Sequence, residues 1–279
     1  MSFATSEPWT ASDGTRLALR REDARGVGRG TLIFVHGWGD YAGRHAETAL
    51  WFAERGITAI GADLRGHGAS PGRRGHVERF AQYLADIVAL RKLAAATAPQ
   101  PQLLLGHSFG AFIVLRYLET APEGLAGAIA AAPYIDLYRP PDRWKVRLAL
   151  LLQDVAPSLP IDTGLGWDQA MRDPVVWESY LADPLAHQKM TPRAYAEALA
   201  ALAVLHAEKD RIAAPVLFLL AGEDRIVSTP AADAFARSLH APVTVRTYPA
   251  LYHAIFHEPD REPVFADVAA WLDGVLAAA

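Results

Sequence analysis

Cysteine is absent from the 279 residues, which excludes disulfides, thiolate catalysis and Cys-ligated metals. A strong charge imbalance is missing too: 27 Lys and Arg against 31 Asp and Glu leave a net charge of -4. That balance predicts no nucleic-acid partner and no pull toward an anionic membrane. The pair Arg73-Arg74 is too short for a basic patch. No apolar run reaches the length of a membrane span; "LAGAIAAAPYI" is among the longest and contains proline. The start, "MSFATSEPWTASDG", has neither the basic region nor the apolar core of a signal peptide. A cytoplasmic protein without integral membrane association is therefore expected. Repeats and low-complexity tracts are lacking beyond Ala-rich helices. What remains is 51% hydrophobic and 21% charged, enough for a large core and far from a disordered composition.

Short apolar strands alternate with helical segments through the first half of the chain. Trp9 to Arg20 reads as a hairpin turning at Asp13-Gly14. "TLIFV" and "ITAIGAD" read as strands flanking the helix of "RHAETALWFAERG". A long helix is expected over Val77 to Leu93, with Phe80, Leu84, Ile87 or Val88, and Leu90 on its buried face. "LAGAIAAAP" is a further strand, after which the alternation stops. It resumes with "VLFLLAG", a helix near Ala231 to Leu239, "VTVRTYP" and a final helix from Pro263 to Leu276. The pattern predicts an α/β fold: a mostly parallel central sheet with helices on both faces. Residues 1–133 and 214–279 would form the core, and 134–213 an inserted, mainly helical cap. Ligand sites in such sheets lie at the carboxyl ends of the strands, so the cap should cover the site.

The stretch "LLLGHSFGAF", Leu103 to Phe112, ends a strand in a serine with glycines two residues to either side. A strand that turns at once into a helix leaves no room for side chains at Gly106 and Gly110. Ser108 between them sits on a strained tip with its hydroxyl exposed, the content of the G-x-S-x-G nucleophile elbow. With 21 Gly in the chain, composition alone gives this pattern about 0.05 times. An ordinary Gly-Ser turn without chemistry is the competing reading, so an acid, a base and an oxyanion hole must also be found.

A serine hydroxyl needs an adjacent base to become nucleophilic. "VLFLLAGEDRIVS" carries Glu223-Asp224 at a strand end, and "VTVRTYPALYHAIFHE" carries His253 in the loop after a strand. Either Glu223 or Asp224 could orient the base. His257 lies one helical turn beyond His253, but the loop end is where a base reaches the elbow. The other histidines (His36, His45, His67, His76, His107, His187, His206 and His240) are expected in loop, packing or surface roles, with no metal cluster among them. "FVHGWGD", Phe34 to Asp40, ends an earlier strand in glycines that let backbone N–H groups turn toward the pocket. The oxyanion donors are expected to be the N–H groups of Trp38 and Phe109, each typically worth about 10²–10³ in rate.

The chain resembles the monoacylglycerol lipase and lysophospholipase branch of the α/β-hydrolase superfamily. The likeness runs through "HGWGDYAGRH", "ADLRGHGASPGRRGHVERFAQYLAD", "GHSFGA", "DPL" at Asp183 to Leu185, "GEDRIVS" and "YHAIFHE", and is weakest over Tyr134 to Leu181. The order serine, acid, histidine is that of the superfamily. The resemblance implies Asp224 as the acid, so that Ser108, Asp224 and His253 form the catalytic set. It further implies an ester or lipid substrate, no metal and no organic cofactor, with transient membrane-surface contact through the cap. Three positions depart from the pattern: Ala111 where a second glycine is frequent, Phe109 where Met is common, and His257 where Asn is frequent. These leave the triad intact and bear on the acyl pocket. Alternatives are a small-ester esterase or aminopeptidase-like amidase on the same fold, or a catalytically silent scaffold that binds a ligand. A lipid-binding cap would place Trp144 to Leu159 over Ser108.

Overall fold

In a computed structural model the described residues are 3–278; Met1, Ser2 and Ala279, which the expected core includes, lie outside them. Ten strands are described: β1 (Glu7–Thr10), β2 (Arg16–Glu22), β3 (Gly30–Val35), β4 (Ile57–Ala62), β5 (Gln102–His107), β6 (Leu125–Ala131), β7 (Ile161–Asp162), β8 (Lys189–Met190), β9 (Val216–Ala221) and β10 (Val243–Tyr248). Eight of them form one sheet in the order β1-β2-β4-β3-β5-β6-β9-β10. β2 pairs antiparallel with β1 and with β4, and every other pair is parallel. The expected hairpin is β1–β2, and the expected strands are all in this sheet.

The central strands are apolar throughout because both faces are covered. Ile33, Leu104, Ala128, Ala130, Phe218 and Leu220 point to one side. Their alternate neighbours Leu32, Phe34, Leu103, Leu105, Ile129, Leu217 and Leu219 point to the other, as the two-residue period requires.

The helices before the insertion are α1 (Ala46–Ala53), α2 (Ala81–Thr97) and α3 (Phe109–Leu118). Between β6 and β9 lie α4 (Arg143–Val155), α5 (Trp167–Ala170), α6 (Pro174–Ala182) and α7 (Pro192–Glu208). Then come α8 (Thr229–Arg237) and α9 (Glu262–Ala278). α2, α3 and α8 bury their apolar stripes on the first face; α1 and α9 cover the second with Phe52, Val264, Val268 and Leu272.

α2 begins four residues later than the periodicity predicts. The Phe80 N–H donates to Glu197 of α7 at 2.8 Å and the Arg79 N–H to the Gln82 side chain at 3.0 Å, so these donors are satisfied outside a helix. The buried face runs through Tyr83, Ile87, Leu90 and Ala94; Leu84 is only half-buried and Val88 is exposed. The inserted segment is mostly helical but contains the two-stranded ribbon β7–β8. α7 places Ala194, Ala198, Ala201 and Leu205 in the same apolar cluster as α3.

Candidate active site

The nucleophile candidate stands where β5 breaks directly into α3. Ser108 has φ 55° and ψ −118°, a left-handed backbone that a non-glycine residue adopts only under constraint. Its N–H donates to the Ala131 carbonyl at 2.9 Å, and its own carbonyl accepts from Phe112 and Tyr134, both at 3.2 Å. The flanking glycines are obligatory: a Cβ at Gly106 would collide with Ala111 and the Gly110 carbonyl, and one at Gly110 with the carbonyls of Val35 and His36.

Asp224 follows the end of β9 and His253 the end of β10, neighbouring parallel strands. The His253 Nδ1–H donates to Asp224 Oδ2 at 2.7 Å, both side chains buried. Asp224 Oδ1 accepts from the N–H groups of Ile226 and Val227, each at 2.8 Å, which fixes the carboxylate. Glu223 is exposed, and among the described residues the ion pair of His253 is with Asp224 and not with Glu223. Ser108 and His253 face one small cavity of about 40 Å³. The Ser108 hydroxyl has no hydrogen-bond partner among the described residues; apo sites commonly tighten this contact only when substrate binds.

Trp38 follows β3, and its N–H and that of Phe109 enter no turn, loop or side-chain hydrogen bond among the described residues. His36 explains the turn. Its Nδ1–H donates to the Gly37 carbonyl at 2.8 Å while its Nε2 accepts the Leu64 N–H at 2.8 Å. Burial holds this imidazole below its usual pKa, and the two bonds define its neutral form.

The remaining cavity wall comes from residues that sequence reasoning missed or placed elsewhere. Trp167, Ala170, Met171 and Tyr180 of the α5–α6 region close it, with Asp40, His107 and His257 on the floor. Contrary to expectation, Trp144 to Leu159 do not line the cavity that holds Ser108: no residue of α4 is buried, and Trp144, Leu148, Leu150, Leu151 and Val155 are exposed while Val146 and Leu152 are half-buried. The two stretches pack differently. α4 has its basic residues Arg143, Lys145 and Arg147 interleaved with Trp144 and Leu148, whereas in α5–α6 the rings of Trp167 and Tyr180 meet at a tilt with centroids 4.6 Å apart.

His107, expected only to pack, lines the cavity and donates Nε2–H to the His253 carbonyl at 3.0 Å. Burial, with His253 and His45 beside it, pushes its pKa well down. His257 also reaches the cavity, but its Nε2–H binds the Arg44 carbonyl at 3.1 Å and not Asp224. Burial, reinforced by His45, lowers its pKa to about 4. Burial opposes ionisation of Asp40, yet the charge and hydrogen bond of His45, 2.9 Å away, hold that carboxyl below the ordinary range.

Two quoted motifs are anchors. Asp183 accepts the Tyr41 hydroxyl at 2.8 Å and pairs with Arg44 at 3.3 Å. Glu258 is fully buried against Arg172, tying the His253 loop to the insertion. Among the described residues no cluster of His, Asp or Glu could hold a metal ion, and no helix is long and apolar enough to cross a membrane.

A mostly parallel sheet with a strained serine elbow, and with an acid and a histidine after its last two parallel strands, defines the α/β-hydrolase class. The chain belongs to the family described as serine aminopeptidase, S33, whose model matches residues 27–260. It falls in the monoacylglycerol lipase and lysophospholipase branch that its motifs resemble. It is 31% identical over 247 residues to a monoacylglycerol lipase of Mycolicibacterium smegmatis, covering 88% of each chain. It is 30% identical over 250 residues to the phospholipase YtpA of Bacillus subtilis, covering 87% of this chain and 94% of that one. Among solved structures, a Paleococcus ferrophilus monoacylglycerol lipase superimposes with a TM-score of 0.85 at 26% identity, covering 94% of this chain and 99% of that one.

Proposed function

We propose that the protein hydrolyses carboxylic esters of monoacylglycerol or lysophospholipid type through an acyl-enzyme on Ser108. His253 Nε2 takes the Ser108 proton as Oγ attacks the ester carbonyl. The N–H groups of Trp38 and Phe109 hold the resulting oxyanion. His253 then protonates the departing alcohol and activates the water that frees the acid, while Asp224 fixes its tautomer. The observation that carries this reading is the 2.7 Å contact of His253 Nδ1 with Asp224, in a cavity that His253 shares with Ser108. The similarity to a monoacylglycerol lipase and a phospholipase supports the lipid substrate.

Residues 134–213 act as the cap, and α4 is its membrane-facing element. Leu151 and Val155 are 71% and 84% exposed, next to Trp144 and three basic residues. Apolar side chains beside cationic ones suit brief contact with a lipid surface. A second reading, a small-ester esterase, is favoured by the cavity: its volume of about 40 Å³ is far below that of pockets that enclose a long ligand.

A fluorophosphonate probe tests the assignment. It is expected to label Ser108, and Ser108→Ala is expected to abolish both labelling and ester turnover. Undiminished turnover in that variant would remove the assignment, and absence of labelling in the native protein would leave a silent scaffold.

A further inference from the structure

The insertion does more than roof the cavity; it grips the turn that carries one oxyanion donor. Trp38 donates its indole Nε1–H to the Lys189 carbonyl of β8 at 2.9 Å. The next residue, Gly39, accepts the His187 N–H at 2.8 Å. Gly39 has φ +74°, and a Cβ there would collide with the His187 carbonyl, so the two chain segments are in direct backbone contact.

The β8 segment is held equally firmly from behind. The Thr191 N–H donates to the Gly75 carbonyl at 3.0 Å, and His187 Nε2–H donates to the Gly66 carbonyl at 3.1 Å. A Cβ at Gly75 would strike the Lys189 carbonyl that receives the indole. Lys189 therefore has no room to retreat from Trp38.

The Gly37–Trp38 peptide is thereby fixed at both ends. Its carbonyl is taken by His36, which turns the Trp38 N–H the opposite way. The Trp38 ring meets Phe109 edge-on with centroids 4.8 Å apart, and His67 likewise at 4.8 Å. Trp38 and Phe109 are the two residues whose N–H groups are assigned to the oxyanion, and their side chains touch.

We propose that Trp38 is a positioning residue: its indole hydrogen bond to Lys189 makes β8 of the insertion a working part of the oxyanion hole. The inference rests on the proposed ester hydrolysis and adds the element that aligns it. A hydrogen bond to the oxyanion prefers an angle above about 150° and weakens steeply below about 120°. Loosening the turn therefore lowers the benefit of a donor normally worth about 10²–10³ in rate without removing the donor.

Trp38→Phe keeps an aromatic ring between Phe109 and His67 and removes the indole N–H together with the rest of the second ring, so the KM and ether readouts separate the lost bond from the lost volume. With concentrations set by fluorophosphonate titration of active sites, kcat on p-nitrophenyl butyrate is expected to fall about tenfold with KM within about twofold. Affinity for a trifluoromethyl ketone, whose adduct with Ser108 places an oxyanion in the hole, is expected to fall by the same factor. Affinity for an unreactive ether analogue of the substrate should not move. Unchanged kcat and ketone affinity would overturn the proposal. So would a loss confined to KM and ether affinity, which would make Trp38 a cavity wall only. A native enzyme that the fluorophosphonate never labels fails the proposed function itself, before any variant is compared.

Discussion

Gly110 lies against Val35 so closely that one added carbon at Gly110 would enter the Val35 carbonyl oxygen. The clash is backbone on backbone between α3 and the end of β3, so no rotamer can relieve it. Gly110→Ala is expected to lose at least about 2 kcal/mol of stability by urea unfolding, toward the upper end for overpacked cores. A variant within the experimental error of the native protein would show that the elbow can yield.

The contact with Val35, distant in the chain, was not legible in the sequence, whereas the elbow itself was, because it is local: Gly106, Ser108 and Gly110 follow one another where a strand turns into a helix. The same holds for Asp224 and His253, each a few residues past an apolar strand. The start of α2 was not legible, since the Phe80 N–H is satisfied by Glu197, 117 residues away. Nor was the cavity wall. Trp144, Leu148 and Leu151 offered as good an apolar signal as Trp167, Met171 and Tyr180, and only tertiary packing shows which set turns inward. His107 escaped because its role is a bond to the main chain of His253, which carries no sequence signature.

The two histidines that share the cavity should separate sharply on mutation. His253→Ala is expected to reduce kcat by about 10³-fold or more, and Asp224→Asn by about 10⁴-fold through the wrong tautomer. His257→Ala, which loses only a bond to the Arg44 carbonyl, should cost less than about tenfold by the same reasoning. Steady-state kinetics on a soluble ester decide it, and a reversed ranking would move the base to His257.

Acid should unfold the protein through its buried histidines. His36, His67, His107, His187 and His257 all have lowered pKa values, chiefly from burial, the last two at about 4. Unfolded, each would titrate near 6.5, so the unfolded chain binds more protons below that pH. Their contribution is present above about pH 6.5 and is lost as pH falls toward 4, at about 1.4 kcal/mol per pH unit for each group. His257→Gln keeps a donor for the Arg44 carbonyl and should flatten the dependence of Tm on pH by about one proton between pH 6.5 and 4. An unchanged slope would mean that His257 already carries its proton in the folded protein.

The outward face of α4 should matter only at a lipid surface. Leu151→Ser combined with Val155→Ser changes exposed side chains, so stability is expected to shift by less than about 1 kcal/mol. Turnover of p-nitrophenyl butyrate in solution should stay within about twofold, while turnover of a long-chain monoacylglycerol in phosphatidylcholine vesicles falls several-fold. Equal activity on vesicles would leave α4 without a membrane role.

The cavity itself should set the acyl chain that is preferred. Each buried methylene contributes about 0.8 kcal/mol, or roughly fourfold in binding, until space runs out. Catalytic efficiency on p-nitrophenyl esters should therefore climb from acetate and level off at medium length. The preferred ester should exceed acetate by at least about tenfold, equivalent to 1.4 kcal/mol. The limit is the wall formed by Trp167, Met171 and Tyr180, of which Met171 is the unbranched, adaptable member. Met171→Ala removes three heavy atoms from that wall and should move the plateau about two methylenes longer, at a stability cost of about 2–5 kcal/mol for a buried side chain. A flat or falling series from acetate to decanoate would make the protein a small-ester esterase. A plateau that ignores Met171→Ala would put the end of the acyl site elsewhere in the insertion.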